Sequence, residues 1–167
     1  MDDPNDRGYS RAPEVEDLVA LCRALNEAGA RYLLIGGFAV LLHGAVRTTK
    51  DIDLLVDSTP ENVRALKQAL SVLPDDAVAE VADNDVAEYG VVRVADEIVV
   101  DLMARACGID YAEAMRSGIE RIRLGDVDIP VAGKELLIRT KNTFRDSDRA
   151  DVTFLQARLE EERNRGR

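Results

Sequence analysis

Asp51 and Asp53 flank a single isoleucine in the segment DIDLLV. In an extended chain, alternation puts both carboxylates on one face and sends Ile52 to the other. Two like charges side by side are unfavourable unless a cation neutralises them. Oxygen ligands at this spacing suit Mg²⁺, which takes one or two carboxylates together with phosphate oxygens and water. The alternative is a solvated strand start with incidental acids. A third carboxylate, Asp101, interrupts the apolar run EIVVDLM, where it needs a partner. Either Asp101 is an edge-strand or salt-bridged acid, or it converges on the first two. Three converging carboxylates build a two-metal site for in-line displacement at phosphorus. Nothing in the flanking sequence offers Asp101 a structural partner.

Upstream of the acid pair, the apolar run YLLI stops at Gly36-Gly37 and a second apolar run follows. Two glycines at a strand–helix junction either let the backbone approach a phosphate closely or make a tight turn. Arg47 lies in the polar connection AVRTTK, four residues before Asp51. It either reaches a triphosphate or an acceptor, or belongs to a solvated loop. Lys141 is either a phosphate or leaving-group contact or a surface lysine paired with an acid such as Asp146. His43, the only histidine, follows an apolar helical run and reads as a packed or capping residue. A histidine-based metal site or a Ser-His-Asp triad is thereby nearly excluded. Cys22 and Cys107 lie far apart in apolar contexts and are expected as reduced thiols in or near the core.

Gly36-Gly37, thirteen intervening residues, Asp51-Ile52-Asp53 and then Asp101 on a later strand resemble the signature of the DNA polymerase β-type nucleotidyltransferase superfamily. Within it, GGFAVLLHGAVRTTKDIDLLV is most similar to small bacterial AbiEii-type enzymes, many of them toxins of toxin–antitoxin systems. Lys141, Arg145, Asp148 and Asp151 are similar to that group's C-terminal pattern. The resemblance spans about residues 31–155. It implies a nucleotidyltransferase fold and transfer of a nucleotide from an NTP to a hydroxyl acceptor. It also implies that Asp51 and Asp53 hold two Mg²⁺ (or Mn²⁺) ions, and that Asp101 ligates the acceptor-side ion and receives the hydroxyl proton. Gly36 and Gly37 would cradle the β- and γ-phosphates, with Arg47 and Lys141 as further nucleotide contacts. Many superfamily members carry Gly-Ser, whose hydroxyl touches the triphosphate, where Gly37 offers backbone N–H alone. The acceptor implied is a tRNA end or a protein, with a cognate antitoxin as partner. A small-molecule acceptor of antibiotic type and a catalytically silent nucleotide-binding module are the alternatives. Silent versions usually lose at least one acid, whereas all three stand here.

These residues need a scaffold, and the patterning predicts one. Apolar positions at three- and four-residue spacing predict a helix opening at Pro13 and capped near Gly29. Strands are expected at Arg31–Ile35 and Asp51–Val56, with an apolar helix over Phe38–His43 between them. A helix over Glu61–Leu73 and a strand at Val78–Val81 should follow. Val91–Val94 and Ile98–Met103 predict a hairpin around Ala95-Asp96-Glu97. Tyr111–Ser117 predicts a short helix, and a second hairpin should turn at Gly125-Asp126. From Lys134 the chain is expected to be helical in two pieces, broken near Arg145–Asp148. Asp148 is the expected N-cap of the last piece, and EEERNRGR a frayed, solvated end. The fold class is α/β or α+β, a mixed sheet flanked by helices with a C-terminal helical segment. The expected organisation is a loose tail over 1–12 and one domain over 13–163, with a core of about 13–132 and C-terminal helices over about 133–163.

Bulk properties narrow the function classes. The 167 residues are 46% hydrophobic, enough for one compact core. A net charge of -10 and an aromatic content of 4% disfavour a broad basic surface or a stacking platform for strong non-specific nucleic-acid binding. No signal-peptide stretch or membrane-length apolar run is visible, so a cytoplasmic location is expected, with no membrane partner.

Overall fold

The computed structural model describes residues 10–166. Helix α1 (Val15–Glu27) leads into strand β1 (Tyr32–Ile35), short helix α2 (Gly36–Leu42) and strand β2 (Asp51–Val56). Helix α3 (Pro60–Leu70), the 3₁₀ turn η1 (Ala77–Glu80) and helix α4 (Asp85–Tyr89) then reach the hairpin of β3 (Val91–Ala95) and β4 (Val99–Met103). A two-stranded ribbon, β5 (Arg105–Ala106) and β6 (Ile109–Asp110), precedes helix α5 (Tyr111–Arg116). The hairpin of β7 (Ile119–Leu124) and β8 (Val127–Ala132) precedes helices α6 (Lys134–Thr140) and α7 (Asp146–Arg165).

Six strands form one mixed sheet in the order β3-β4-β2-β1-β8-β7. β2 pairs antiparallel with β1 and parallel with β4; Asp53 has a partner on each side, Ile35 and Asp101, whereas Asp51, opposite Val99, lies beyond the end of β1. Ile52, Leu54, Leu55 and Val56 are all buried, and only the acid-bearing start of β2 reaches beyond that apolar cover. Leu18, Leu21 and Leu25 of α1 pack with Val63, Leu66 and Leu70 of α3 in the same core. Each such side chain contributes roughly 1.5–3 kcal/mol of burial, which holds β2 rigidly enough to carry like charges at its end.

Local chemistry explains the element ends. Thr59 caps α3 by accepting from the Asn62 N–H, and Pro60 occupies the first turn, where its missing N–H costs nothing. The buried Asn62 amide donates to the carbonyls of Arg31 and Asp57 and accepts from the Arg31 N–H, tying the β1 and β2 ends together. Gly29 adopts φ +67 just past α1, the left-handed position expected after a helix end.

Several expectations need correction. Residues 77–80 form a 3₁₀ turn, not the strand predicted at Val78–Val81. The buried Asp96 carboxylate takes the N–H groups of Asp75 and Ala77, and this competes with strand pairing. Helix α2 begins two residues before Phe38, so both glycines belong to it and His43 is its C-cap. His43 is packed as expected, its Nε2 2.9 Å from the Ala132 carbonyl. Cys22 is buried, and burial pushes its thiol up to about 12, but Cys107 is exposed. Cys107 sits with φ +48 beside Gly108 in the β5–β6 turn, which leaves it outside the core.

The helical break falls at residues 141–145, and Arg145 is the N-cap of α7. Asp148 lies inside the first turn, turned inward onto side-chain cations instead of back onto backbone N–H groups. The expected frayed end is helical through Arg165, held in part by a 2.6 Å Lys134–Glu162 ion pair. Of the expected N-terminal tail, residues 1–9 lie outside the described residues. Ser10 Oγ donates to the Asp96 carbonyl at 2.6 Å and the Arg11 N–H to the Glu97 carbonyl at 2.9 Å.

Candidate active site

The registers of β2, β4 and β3 put Asp53 opposite Asp101 and Asp101 opposite Arg93. Paired residues on adjacent strands share a face, so Asp53, Asp101 and Arg93 form a row across three strands. Asp51, two residues from Asp53, shares that face. Oxygens of Asp51, Asp53 and Asp101 all lie within 4.8 Å of one another. The sequence pattern left this convergence open, and the parallel β2–β4 register produces it.

Three carboxylates this close oppose one another's ionisation. Burial first, and then the charges of Asp51 and Asp101, push Asp53 up to about 7. Asp51 is raised too, by burial and then by Asp101. An all-oxygen set that resists its own charge fits a hard divalent cation such as Mg²⁺, which would offset it.

Gly36 is fitted against this cluster. It adopts φ +71, and a Cβ there would stand 2.1 Å from Asp53 Oδ2. The protein's own carboxylate therefore requires a glycine at 36. A side chain at 37 would meet Thr49 Cγ2 at 2.6 Å and the Arg47 guanidinium at 3.1 Å. Gly36→Ala is expected to lose about 3 kcal/mol of stability, through left-handed strain and displacement of Asp53. Urea unfolding checks it, and a change within about 0.5 kcal/mol would show that Asp53 yields freely.

Cations face the acids from the C-terminal helices. Lys141 is buried, with Nζ 2.9 Å from Asp151 and 3.3 Å from Asp148. It is thus neither a surface residue nor paired with Asp146; two acids one turn apart on α7 draw it inward. Asp151 also takes the Arg47 guanidinium, and Asp148 takes Arg145 at 2.8 Å. Arg47 is therefore ion-paired at the site, not part of a solvated loop. The four residues of the C-terminal pattern, Lys141, Arg145, Asp148 and Asp151, form one network joined to Arg47.

Acids, glycines and cations line one cleft of about 250 Å³, which includes Gly36, Gly37, Arg47, Asp51, Asp53, Arg93, Asp101, Lys141 and Arg145. A wider groove of about 840 Å³, lined by Cys107, Phe144 and Arg149 among others, meets it at Lys141.

Arg93 is the residue that sequence reasoning missed. Its Nε and Nη2 donate to the two Asp101 oxygens, each at 2.9 Å, and Nη2 lies 3.4 Å from Asp51. Asp101 therefore does have a structural partner. The signal lay in the hairpin, since counting outward from its turn sets Arg93 against Asp101.

A comparison with curated proteins finds no significant match. Residues 19–152, however, match the family described as nucleotidyl transferase AbiEii toxin, type IV toxin–antitoxin system. That span takes in the β1–α2 junction, the three acids, Arg93, Lys141 and both α7 acids. Most of the chain and the whole acid–cation cleft fall within it, so the protein belongs to the AbiEii nucleotidyltransferase toxin family.

Proposed function

We propose that the chain transfers a nucleotide from an NTP to a hydroxyl of a tRNA or a protein, as the toxin of a toxin–antitoxin pair restrained by a cognate antitoxin in the cytoplasm. The observation that carries this reading is the convergence of Asp51, Asp53 and Asp101 in one cleft, their oxygens within 4.8 Å of one another. Those three carboxylates are the residues that would hold Mg²⁺ (or Mn²⁺). When bound, the ions offset charge on the transferring phosphoryl group and on the attacking oxygen.

The chain's own residues then divide the work. Arg47, Lys141 and Arg145 face the acids across the cleft and supply positive charge for the triphosphate. Asp148 and Asp151 hold those three side chains in place. The backbone of Gly36 and Gly37, free of side chains, faces the β- and γ-phosphates. The acceptor oxygen attacks the α-phosphorus, the bond to pyrophosphate breaks, and Asp101 takes the hydroxyl proton. The wide groove that meets the cleft at Lys141 supports a bulky acceptor over a compact one. No described helix is long and apolar enough to cross a membrane.

The test is transfer from each of four α-labelled NTPs to total RNA and to lysate protein, with Mg²⁺ or with EDTA. Label should enter one of those pools only with divalent cation, and Asp51→Asn should abolish it. Label that resists EDTA would refute the metal assignment. No label in either pool, with a clean signal on small hydroxylated acceptors, would replace the macromolecular acceptor by a small one.

A further inference from the structure

Arg93 separates from every other ion-paired cation of the cleft by its choice of partner. Arg47, Lys141 and Arg145 are bound to acids of α7, outside the carboxylate row. Among the described residues, Arg93 alone forks onto the row itself, engaging both oxygens of Asp101 and approaching Asp51. A planar guanidinium matches a carboxylate at two points, and this bidentate pairing is among the stronger charge-assisted arrangements. Each Asp101 oxygen thereby has a lone pair committed to the protein's own cation, which a divalent ion must compete with for the same carboxylate.

The two partners differ in freedom. The Asp101 side chain is 9% exposed and fixed in a central strand, whereas Arg93 is 62% exposed on the edge strand β3. If the pair opens, Arg93 is the one that moves, and water receives its charge at little cost. It then remains beside the cleft as a guanidinium suited to phosphate oxygens, which it can fork as well as it forks a carboxylate.

We propose that Arg93 is an ionic latch on the carboxylate row. It occupies Asp101 until a metal–nucleotide complex enters, and then exchanges that carboxylate for the triphosphate. The inference rests on the reading of the cleft as a metal–NTP site. Its consequence is order of binding. A bare divalent ion must compete with Arg93 for Asp101, while a nucleotide-borne ion brings the phosphate that draws Arg93 away. Metal and nucleotide therefore bind with positive coupling, and Arg93 carries part of that coupling.

The measurement is Mn²⁺ binding followed by the electron paramagnetic resonance signal of the free ion, with and without a non-hydrolysable NTP. The proteins compared are wild type, Arg93→Met, Arg93→Lys and Asp53→Asn. Methionine keeps much of the apolar stem and removes the charge. Without nucleotide, Arg93→Met should bind Mn²⁺ about tenfold more tightly than wild type, because the competitor is gone. Adding the NTP should raise Mn²⁺ affinity strongly in wild type and much less in Arg93→Met. Arg93→Lys should fall between, since an ammonium keeps the charge but cannot fork. Equal Mn²⁺ affinities in wild type and Arg93→Met would overturn the latch and leave the metal site standing. A variant that merely melts earlier, with unchanged Mn²⁺ binding, would also overturn it and reduce Arg93 to a brace of the hairpin. If neither protein takes up Mn²⁺ in a manner that Asp53→Asn abolishes, the metal reading falls and the latch with it.

Discussion

Asp101→Asn is expected to lower nucleotide transfer by on the order of a thousandfold or more while leaving Mg²⁺–NTP affinity nearly intact. Asp51 and Asp53 lie on β2, next to the β1–α2 junction proposed to meet the phosphates. Asp101 lies one strand further out, on β4, where it is assigned to the acceptor hydroxyl. Losing it should remove an ion ligand and the proton acceptor together, and release Arg93 from its carboxylate. The fold should survive, because Arg93 is largely exposed and its freed charge is solvated. Binding and transfer should be measured side by side with labelled NTPs. Full transfer by the variant would make Asp101 a structural partner of Arg93 only. Nucleotide binding lost as badly as in Asp53→Asn would refute the division of labour but not the enzyme class.

The second large effect is on stability. Without divalent cation, Asp53→Asn should be more stable than wild type at neutral pH, by about 3 kcal/mol. Burial and its acidic neighbours raise Asp53 from 3.8 to about 7 in the folded protein. Between those values the folded state binds more protons than the unfolded one, so wild-type stability falls as pH rises. The contribution is fully present below about pH 4 and lost as pH passes 7. Asparagine does not titrate, so the advantage of the variant should shrink toward zero as pH falls to 4. Adding Mg²⁺ at pH 7.5 should stabilise wild type and do nothing for the Asp51→Asn/Asp53→Asn double variant. Thermal and urea unfolding at several pH values measure both effects. A pH-independent gap between wild type and Asp53→Asn would mean that Asp53 is ordinary in its ionisation. A Mg²⁺ increment retained by the double variant would place the ion elsewhere.

Much of this protein is legible in one dimension because its signals are local. A strict two-residue repeat at Asp51-Ile52-Asp53 determines that both acids share a face, whatever surrounds the strand. Apolar runs bounded by glycine and turn residues mark the hairpins at residues 91–103 and 119–132. The spacing from Gly36-Gly37 to the acid pair carries the family resemblance, which the match over residues 19–152 bears out. Where local reading failed, a distant residue had intervened. Asp96 claims the backbone of Asp75 and Ala77 and turns an expected strand into 3₁₀ geometry. Lys134 reaches Glu162 and supports a helix end that composition alone marks as frayed. What only the tertiary structure decided is the meeting of groups far apart in the chain: Asp53 beside Asp101 through a parallel register, and Arg47 and Lys141 on Asp151. Parallel register follows from how the intervening helices pack, and buried ion pairs follow from which side chains the core leaves within reach. Neither has a period or a spacing to show in the sequence. The acid pair and its shared face were therefore readable from the residues themselves, while the pairing of Arg93 with Asp101 needed the register of the β3–β4 hairpin.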